Sequence, residues 1–318
     1  MIRASNLTKT FGSHVAVDGI SFEAAKGETL ILLGTSGSGK TVTLKMLNKL
    51  IEPDSGEIEI NGKNINSGKV EDLRRGIGYV IQNIGLFPHL TIEENIAVVP
   101  KLLKWDKERI KKRTEELLEK VNIPHQYLRQ YPNQLSGGQQ QRIGIARALI
   151  ADPPVILMDE PFGALDAITR ASIRASFKSL DELKDKTIVM VTHDIFEAFE
   201  LGNRVCLFDK GKIQQCGTPA ELLFHPANDF VKKFFDEQRF QLQLYVLTLA
   251  DIIKYIHPLI HSSTNIHIQK PDTRLIDVME ILSNKKDGEA VIGIDAEPVL
   301  ITGIEGIMAA YNHKTNEM

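Results

Sequence analysis

Hydrophobic and polar positions follow two different periods along this chain of 318 residues. Apolar and polar residues alternate over 2–24, which predicts paired strands of a partly exposed sheet. The short apolar runs, which are typical of buried strands, are residues 29–33, 77–82, 155–158 and 187–192. The stretches with helical spacing are 41–50, 101–121, the segment after 136, and about 168–183. Strands that alternate with helices in this way predict a mostly parallel α/β sheet.

Composition is close to that of soluble globular proteins, with 42% hydrophobic and 25% charged residues. The 38 basic and 41 acidic residues are well mixed, so no basic segment indicates a nucleic-acid partner. We find neither a secretory signal nor an apolar run of the roughly 18 residues that cross a bilayer. Cys206 and Cys216 are too few for a disulfide framework and lack metal-ligand partners. We therefore expect a cytosolic protein in a reducing compartment, which reaches a membrane only through a partner.

A glycine-rich turn between the first buried strand and the helix at 41–50 matches the pattern G-x-x-x-x-G-K-[ST]. Glycines let the backbone curl so that its N–H groups point at phosphate oxygens, and the positive helix end adds to that field. Lys40 supplies a charge for the β- and γ-phosphates, and the Thr41 hydroxyl can bind Mg²⁺. Taken alone, the loop leaves kinases, GTPases and motor proteins open. The predicted nucleotide-binding residues are Gly34, Thr35, Ser36, Gly37, Ser38, Gly39, Lys40 and Thr41.

Two adjacent acidic residues, Asp159 and Glu160, follow the apolar run 155–158. In a parallel α/β sheet the carboxyl end of that strand lies beside the phosphate loop, where Asp159 can hold Mg²⁺ directly or through water. Glu160 is then placed to orient and polarise the water that attacks the γ-phosphate. Adjacent carboxylates repel each other and a divalent cation relieves the repulsion, so the pair fits a metal site better than a solvated acidic turn.

Residues 135–139 have the sequence Leu-Ser-Gly-Gly-Gln and precede a segment with helical periodicity. A serine and two glycines there predict a capped helix start with exposed N–H groups, which is a second anion site. This site has no lysine and no metal ligand of its own, so it suits a half-site that completes a nucleotide bound elsewhere. A plain helix N-cap is the alternative for these five residues.

The position of these five residues between a phosphate loop and an acidic strand resembles the signature of ABC ATPases. The other marks of that family stand in order. Phe11 lies where the family stacks an aromatic ring on adenine, and Gln82 resembles the glutamine that senses Mg²⁺ and the γ-phosphate. Residues 164–166 resemble the loop at the dimer interface, and His193 resembles the switch histidine. Alone, His193 is typical of a structural histidine and Phe11 of a core or sheet residue; the ordered set indicates function.

The resemblance covers about residues 1–237 and implies a P-loop NTPase domain of the ABC ATPase type. Such a domain has a RecA-like core, an antiparallel β subdomain and a helical subdomain, here at about 86–150. Two subunits would pack head to tail as a homodimer or pseudo-dimer around ATP and Mg²⁺. The signature and interface residues that would bind the partner's nucleotide are Ser136, Gly138, Gln139 and Asp166. The implied metal ligands are Thr41, Gln82 and Asp159, and the implied catalytic residues are Glu160, His193, Lys40 and Gln82.

Residues 82–100 resemble the region of importer ATPases that receives a helix of the membrane subunit. The apolar patch there, which internal packing would also explain, consists of Leu86, Phe87, His89 and Leu90. Residues 41–58, 84–105, 137–170 and 217–235 closely resemble ATPases of osmoprotectant importers, which take up glycine betaine, carnitine, choline or proline betaine.

This resemblance implies a peripheral subunit on the cytoplasmic face of the inner (plasma) membrane. Its partners would be integral membrane permease subunits and, indirectly, a solute-binding protein, with no nucleic acid. Two alternatives stay open: an importer ATPase for another small solute, such as an amino acid, another amine or an ion, and an ABC remodelling factor that transports nothing.

The pattern changes after about residue 237. Residues 232–243 predict one helix, 238–263 a linker, and 264–318 a small C-terminal α/β domain. The order strand, helix, strand, strand, helix is similar to a single degenerate CBS repeat. Another small dimerisation domain is the alternative, and an OB-like domain fits less well because helical patterns interrupt the strands.

Overall fold

The structure is a computed structural model that describes residues 1–82, 85–256, 268–283, 289–294 and 297–317. The chain forms two compact units, Met1–Thr218 and Pro219–Met318. This division precedes the sequence-based limit at about residue 237. The limits of the functional domains predicted from the sequence, 1–237, 238–263 and 264–318, remain predictions.

A mostly parallel sheet forms the centre of the first unit. The strands of this unit, in chain order, are β1 Ile2–Phe11, β2 His14–Ala24, β3 Thr29–Gly34, β4 Ser55–Ile60, β5 Lys63–Asn64, β6 Ile77–Val80, β7 Val155–Asp159, β8 Thr187–Thr192, β9 Arg204–Asp209 and β10 Lys212–Gly217. The central sheet has the order β10-β9-β3-β8-β7-β6, in which β10 is antiparallel to β9 and the other neighbours are parallel. Every position of β7 and β8 is buried, as the continuous apolar runs predict for strands covered on both faces.

A second, antiparallel sheet has the order β2-β1-β4-β5. It confirms the paired strands that the alternating pattern predicts. Ile2 and Ala4 of β1 are buried, whereas Arg3 between them is half-exposed and forms an ion pair with Glu23 of β2. The buried face of this sheet belongs to the same hydrophobic cluster as Leu30 and Leu32 of β3.

The helices of the first unit cover the parallel sheet and form the region between β6 and β7. They are α1 Lys40–Leu47, α2 Val70–Arg75, α3 Ile92–Ile96, α4 Val98–Leu102, α5 Lys107–Lys120, α6 Gly137–Leu149, α7 Ala167–Lys178 and α8 Ile195–Leu201. The single helix predicted over 101–121 is wrong. Lys104 has a positive φ of 58°, and the Asp106 side chain caps a new helix by accepting the Arg109 N–H at 2.8 Å.

The second unit combines helices with a small mixed sheet. Its elements are α9 Pro219–Phe224, α10 Asp229–Asp236, α11 Arg239–Val246, α12 Leu249–Ile252, β11 Ile268–Gln269, α13 Leu275–Ser283, β12 Glu289–Ile294, β13 Glu297–Gly303 and α14 Ile304–Asn316. The helix predicted over 232–243 is instead two helices, because Gln238 between α10 and α11 leaves the helical region with φ −114° and ψ 8°. The predicted order strand, helix, strand, strand, helix is confirmed, while the relation to a CBS repeat stays a prediction. Residues 264–267 of the predicted domain lie outside the described residues.

The two cysteines depart from the sequence-based expectation. Cys206 of β9 and Cys216 of β10 are directly opposite each other in the antiparallel pair, with Cα atoms 4.0 Å apart, and form a disulfide. The number of cysteines excludes a framework of several bridges, but it does not reveal that one hairpin places these two side chains together. The expected reducing compartment gave no reason to anticipate this disulfide.

Candidate nucleotide site

The loops that follow four adjacent parallel strands hold the predicted catalytic residues. Strands β3, β8, β7 and β6 are neighbours in that order, and because they are parallel their carboxyl ends meet at one edge of the sheet. The residues at this edge are Gly34 at the end of β3, His193 after β8, Asp159 and Glu160 at the end of β7, and Gln82 after β6.

Backbone packing around the phosphate loop requires glycine at two positions. Gly34 has φ +147°, and a Cβ atom there would lie 2.2 Å from the carbonyl oxygen of Phe208. Gly39 has φ +100°, and its Cβ would lie 2.3 Å from the carbonyl oxygen of Ala16. Both carbonyl groups belong to strands and cannot move independently of them. Glycine at these two positions therefore allows the curled loop that the sequence pattern predicts. Helix α1 begins at Lys40, directly after this curl.

The Lys40 side chain is buried under the loop, with 5% of the residue exposed. Its Nζ donates to the carbonyl oxygens of Gly34 at 2.8 Å and Thr35 at 2.6 Å, and to Ser38 Oγ at 3.3 Å. Burial lowers the pKa of Lys40, and the Glu160 and Asp159 carboxylates act in the opposite direction. A buried ammonium group whose partners are mainly neutral is stabilised by a nearby anion, and a bound phosphate would be such an anion. Residues 35–37 above it are exposed and leave the loop open to a ligand.

Thr41 and Asp159 form the part of the site that fits Mg²⁺. The Thr41 hydroxyl donates to Asp159 Oδ1 at 2.8 Å. Asp159 is 3% exposed, and its burial raises the pKa of the carboxyl group. A divalent cation would offset the cost of a buried carboxylate. A hydroxyl and a carboxylate beside phosphate oxygens are the ligands that Mg²⁺ takes in nucleotide sites, so the residues present fit this ion.

The Glu160 carboxylate contacts residues of two other loops, Gln82 after β6 and His193 after β8. Its Oε2 accepts a hydrogen bond from Gln82 Nε2 at 3.0 Å and lies 3.2 Å from His193 Nδ1. Glu160 has φ +43°, an uncommon conformation for a residue with a side chain, and its N–H donates to the carbonyl of Val191 at 3.0 Å. Strand β8 thereby holds the backbone of Glu160, which directs the carboxylate towards the loops of Gln82 and His193.

The predicted signature residues form a helix start that bonds within itself. Ser136 Oγ accepts the Gln139 N–H at 3.3 Å, and Gln139 Oε1 accepts the Ser136 N–H at 2.9 Å. This capping box fixes the first turn of α6. A Cβ atom on Gly138 would lie 2.6 Å from Thr169 Cγ2, so this glycine also permits the close approach of α7. A plain N-cap and a nucleotide half-site are therefore compatible with the same geometry.

Two further predicted residues are exposed. Asp166 caps α7 by accepting the Thr169 N–H at 3.0 Å, and this bond is the main cause that lowers the pKa of Asp166. Phe11, at the end of β1, is 48% exposed, with Lys9 Nζ 5.6 Å from the centre of its ring. An exposed ring cannot be the core residue that the sequence left as an alternative. Its role towards adenine stays a prediction.

Sequence reasoning missed a polar cluster around the residues that follow β8. Asp194 caps α8 by accepting the Glu197 N–H at 3.1 Å, and the Asp194 N–H donates to Thr192 Oγ1 at 3.0 Å. The Thr192 hydroxyl donates in turn to Glu197 Oε2. An Asp followed three residues later by Glu before a helix is a capping signal that could have revealed the local part. The tertiary part, in which Arg170 and Arg174 of α7 approach Asp194, has no such local signal.

Comparison with known proteins gives the family. The family profile described as ABC transporter matches residues 17–163. The glycine betaine/carnitine/choline transport ATP-binding protein OpuCA of Bacillus subtilis is 45% identical over 315 residues, which are 99% of this chain and 80% of that protein. The chain belongs to the ABC transporter ATP-binding family. It is therefore an ABC-type ATPase, and ATP is its nucleotide.

Another family member and a solved ATP-binding cassette are similar to large parts of this chain. The glycine betaine uptake system ATP-binding protein YehX of Escherichia coli is 48% identical over 256 residues, which cover 80% of this chain and 82% of YehX. A dimeric ATP-binding cassette solved with ADP and Pi in a post-hydrolysis state is 35% identical, with a TM-score of 0.62 over 69% of this chain and 98% of the cassette. No helix in the described part of our chain is long and apolar enough to cross a lipid bilayer.

We expect the substitution Glu197→Gln to flatten the pH dependence of stability in this ABC ATPase. Burial raises the pKa of Glu197 to about 7 from 4.5, and Asp194 adds to the rise, while the Thr192 hydroxyl, Arg174 and Arg170 oppose it. The folded chain therefore holds a proton that the unfolded chain loses, and the free energy of unfolding falls by about 3 kcal/mol as the pH rises from 4.5 to 7.

Urea unfolding of both proteins at pH 5 and pH 8 measures this effect. The variant should lose clearly less stability than the wild type between the two pH values, because Gln keeps an acceptor for Thr192 but does not titrate. An equal loss in both proteins would show that Glu197 is not the titrating group.

Proposed function

We propose that this ABC ATPase energises the import of a quaternary-amine compatible solute such as glycine betaine, carnitine or choline. The observation that carries the proposal is the similarity along 99% of the chain to a relative whose name states glycine betaine, carnitine and choline transport. The relative YehX is likewise named for glycine betaine uptake. The solute itself would be selected by a binding protein and permease subunits outside this chain.

Two copies of the chain would form the hydrolytic unit. The phosphate loop carries Lys40 and Thr41. The described hydrogen bonds of the Ser136 side chain and N–H, in contrast, all lie within the start of its own helix. In a head-to-tail dimer, Ser136 and Gly138 of one copy would bind the γ-phosphate held by the other copy. Asp166, exposed at the start of α7, would lie at that interface. The dimeric cassette with ADP and Pi supports this arrangement.

The residues at the sheet edge would divide the chemistry among them. Glu160 would orient and polarise the attacking water, and His193 and Gln82, which share its Oε2, would fix the position of that carboxylate. Lys40 would neutralise charge on the β- and γ-phosphates. Thr41, Asp159 and Gln82 would hold Mg²⁺, which would supply positive charge to the phosphate oxygens. Phe11 would stack on adenine.

A groove beside the Gln82 loop would receive a helix of the permease. A cavity of about 280 Å³ lies there, with Tyr79, Gly85, Phe87, Val98 and Val99 among its lining residues. Phe87, one of the residues lining this cavity, is 42% exposed, which leaves an apolar side chain free to contact a partner at this position. The chain would then work as a peripheral subunit at the cytoplasmic face of the inner membrane. The element order from β11 to α14 supports, in addition, a CBS-like fold for the C-terminal part.

Glu160→Gln tests the catalytic assignment. An amide cannot accept a proton from water, so kcat should fall at least about 100-fold while the Kd for ATP stays within about threefold. Phosphate release and fluorescent-nucleotide binding measure the two quantities. Glu71→Gln, an identical change at an exposed position of α2, is the control and should keep the wild-type rate. Fast hydrolysis by Glu160→Gln would overturn the role of Glu160.

Uptake of labelled solute tests the proposed transport function. Cells that lack the gene should recover uptake of radiolabelled glycine betaine, choline or carnitine when they receive the wild-type gene together with its permease genes. The Lys40→Ala chain should not restore uptake, because it lacks the phosphate-binding ammonium group. Recovery of amino-acid or ion uptake instead would assign another solute. Failure of the chain to co-purify with any polytopic membrane protein would exclude an importer.

A further inference from the structure

Arg170, in α7, contacts two loops that are separate in the sequence, the interface loop and the loop that carries His193. Its Nη2 donates to the carbonyl oxygen of Leu165 at 2.9 Å, and its Nη1 lies 3.7 Å from Asp194 Oδ2. Leu165 belongs to the interface loop, residues 164–166, and Asp194 directly follows His193. One guanidinium group therefore joins the interface loop to the switch loop, residues 192–194.

The switch loop depends on such anchors because its histidine is exposed. The His193 side chain is 59% exposed and reaches Glu160 Oε2 at 3.2 Å, so packing alone does not hold the ring. The hydrogen bonds of Asp194 to Thr192 and Glu197 fix the backbone on both sides of His193. A shift of Asp194 would thus move the ring relative to Glu160.

Helix α7 also touches the signature of the same chain. A Cβ atom on Gly138 of the signature would lie 2.6 Å from Thr169 Cγ2, and Arg142 of α6 donates to Ser172 and Ser176 on α7. In the proposed dimer, the signature serves the nucleotide of the partner copy, whereas His193 serves the nucleotide of its own chain. Helix α7 therefore contacts parts of both nucleotide sites.

We propose that Arg170 is a positioning residue for ATP hydrolysis. It holds the switch loop at a fixed position relative to the interface loop. Contact of the interface loop with a second copy then determines the position of His193. The inference rests on the proposed dimer and on the proposed role of His193. Arg170 suits this task because its planar fork hydrogen-bonds a carbonyl through one nitrogen and forms an ion pair with a carboxylate through the other. Lysine, with a single ammonium group, would keep one of these contacts.

Steady-state kinetics of three variants test the positioning role. Arg170→Met should lower kcat about tenfold and leave the Kd for ATP within about twofold, because it alters the geometry of the reacting groups rather than the phosphate loop. Arg170→Lys should lie between Arg170→Met and the wild type. Arg3→Met is the control and should keep the wild-type kcat, since it removes an arginine of β1 that pairs with Glu23 and Glu59 in the antiparallel sheet. A normal kcat in Arg170→Met would overturn the proposal.

A double-mutant cycle separates positioning from stability. Asp194→Asn keeps a cap for α8 but removes the charge that faces Arg170. In that background Arg170→Met should cost less than about twofold in kcat, whereas the control Arg3→Met should have the same small effect in both backgrounds. Independent, multiplicative effects of Arg170→Met and Asp194→Asn on kcat would mean that Arg170 only stabilises α7, and would refute the inference.

His193→Ala distinguishes failure of this inference from failure of the proposed site. Wild-type turnover by His193→Ala would remove the role of the switch histidine, and the present inference with it. Slow turnover by His193→Ala together with normal turnover by Arg170→Met would leave the proposed site intact and refute the inference alone.

Discussion

The order of strands in the parallel sheet is the constraint on which the nucleotide site depends. Strands β3, β8, β7 and β6 are adjacent and parallel, so the loops at their carboxyl ends share one edge. These loops come from four separate parts of the chain, yet Thr41 reaches Asp159, and Gln82 and His193 both reach Glu160. A different strand order would leave the same motifs in the sequence without bringing their side chains together.

The site built at that edge is rich in buried charge. Lys40 and Asp159 are both almost fully buried, and burial lowers the pKa of Lys40 and raises that of Asp159. Both shifts have the same main cause, the burial of a charged group, and a metal–phosphate ligand would offset both at once. The proposed half-site at Ser136 starts a different helix and has a capping box of its own. This arrangement is compatible with the proposed nucleotide site shared between two chains.

Local sequence signals predicted the parts of the molecule that depend on neighbouring residues. The phosphate loop, the capped start of α6 and the apolar strands are encoded within about ten residues each, and the structure contains all of them. Breaks within long polar helices were missed, because Lys104 adopts a positive φ that composition does not reveal. The contact of Arg170 with Asp194 was missed for another reason: the two residues are far apart in sequence and meet only when α7 lies beside α8.

Mixing two inactive chains tests most directly whether each nucleotide site is shared between two copies. Lys40→Ala disables the phosphate loop, and Ser136→Arg blocks the signature. Each variant alone should lack ATPase activity, because both sites of either homodimer contain one defective half. A mixture should regain activity, because the mixed dimer has one site with an intact loop and an intact signature. Full activity of Ser136→Arg alone, or no recovery when mixed dimers demonstrably form, would contradict the account.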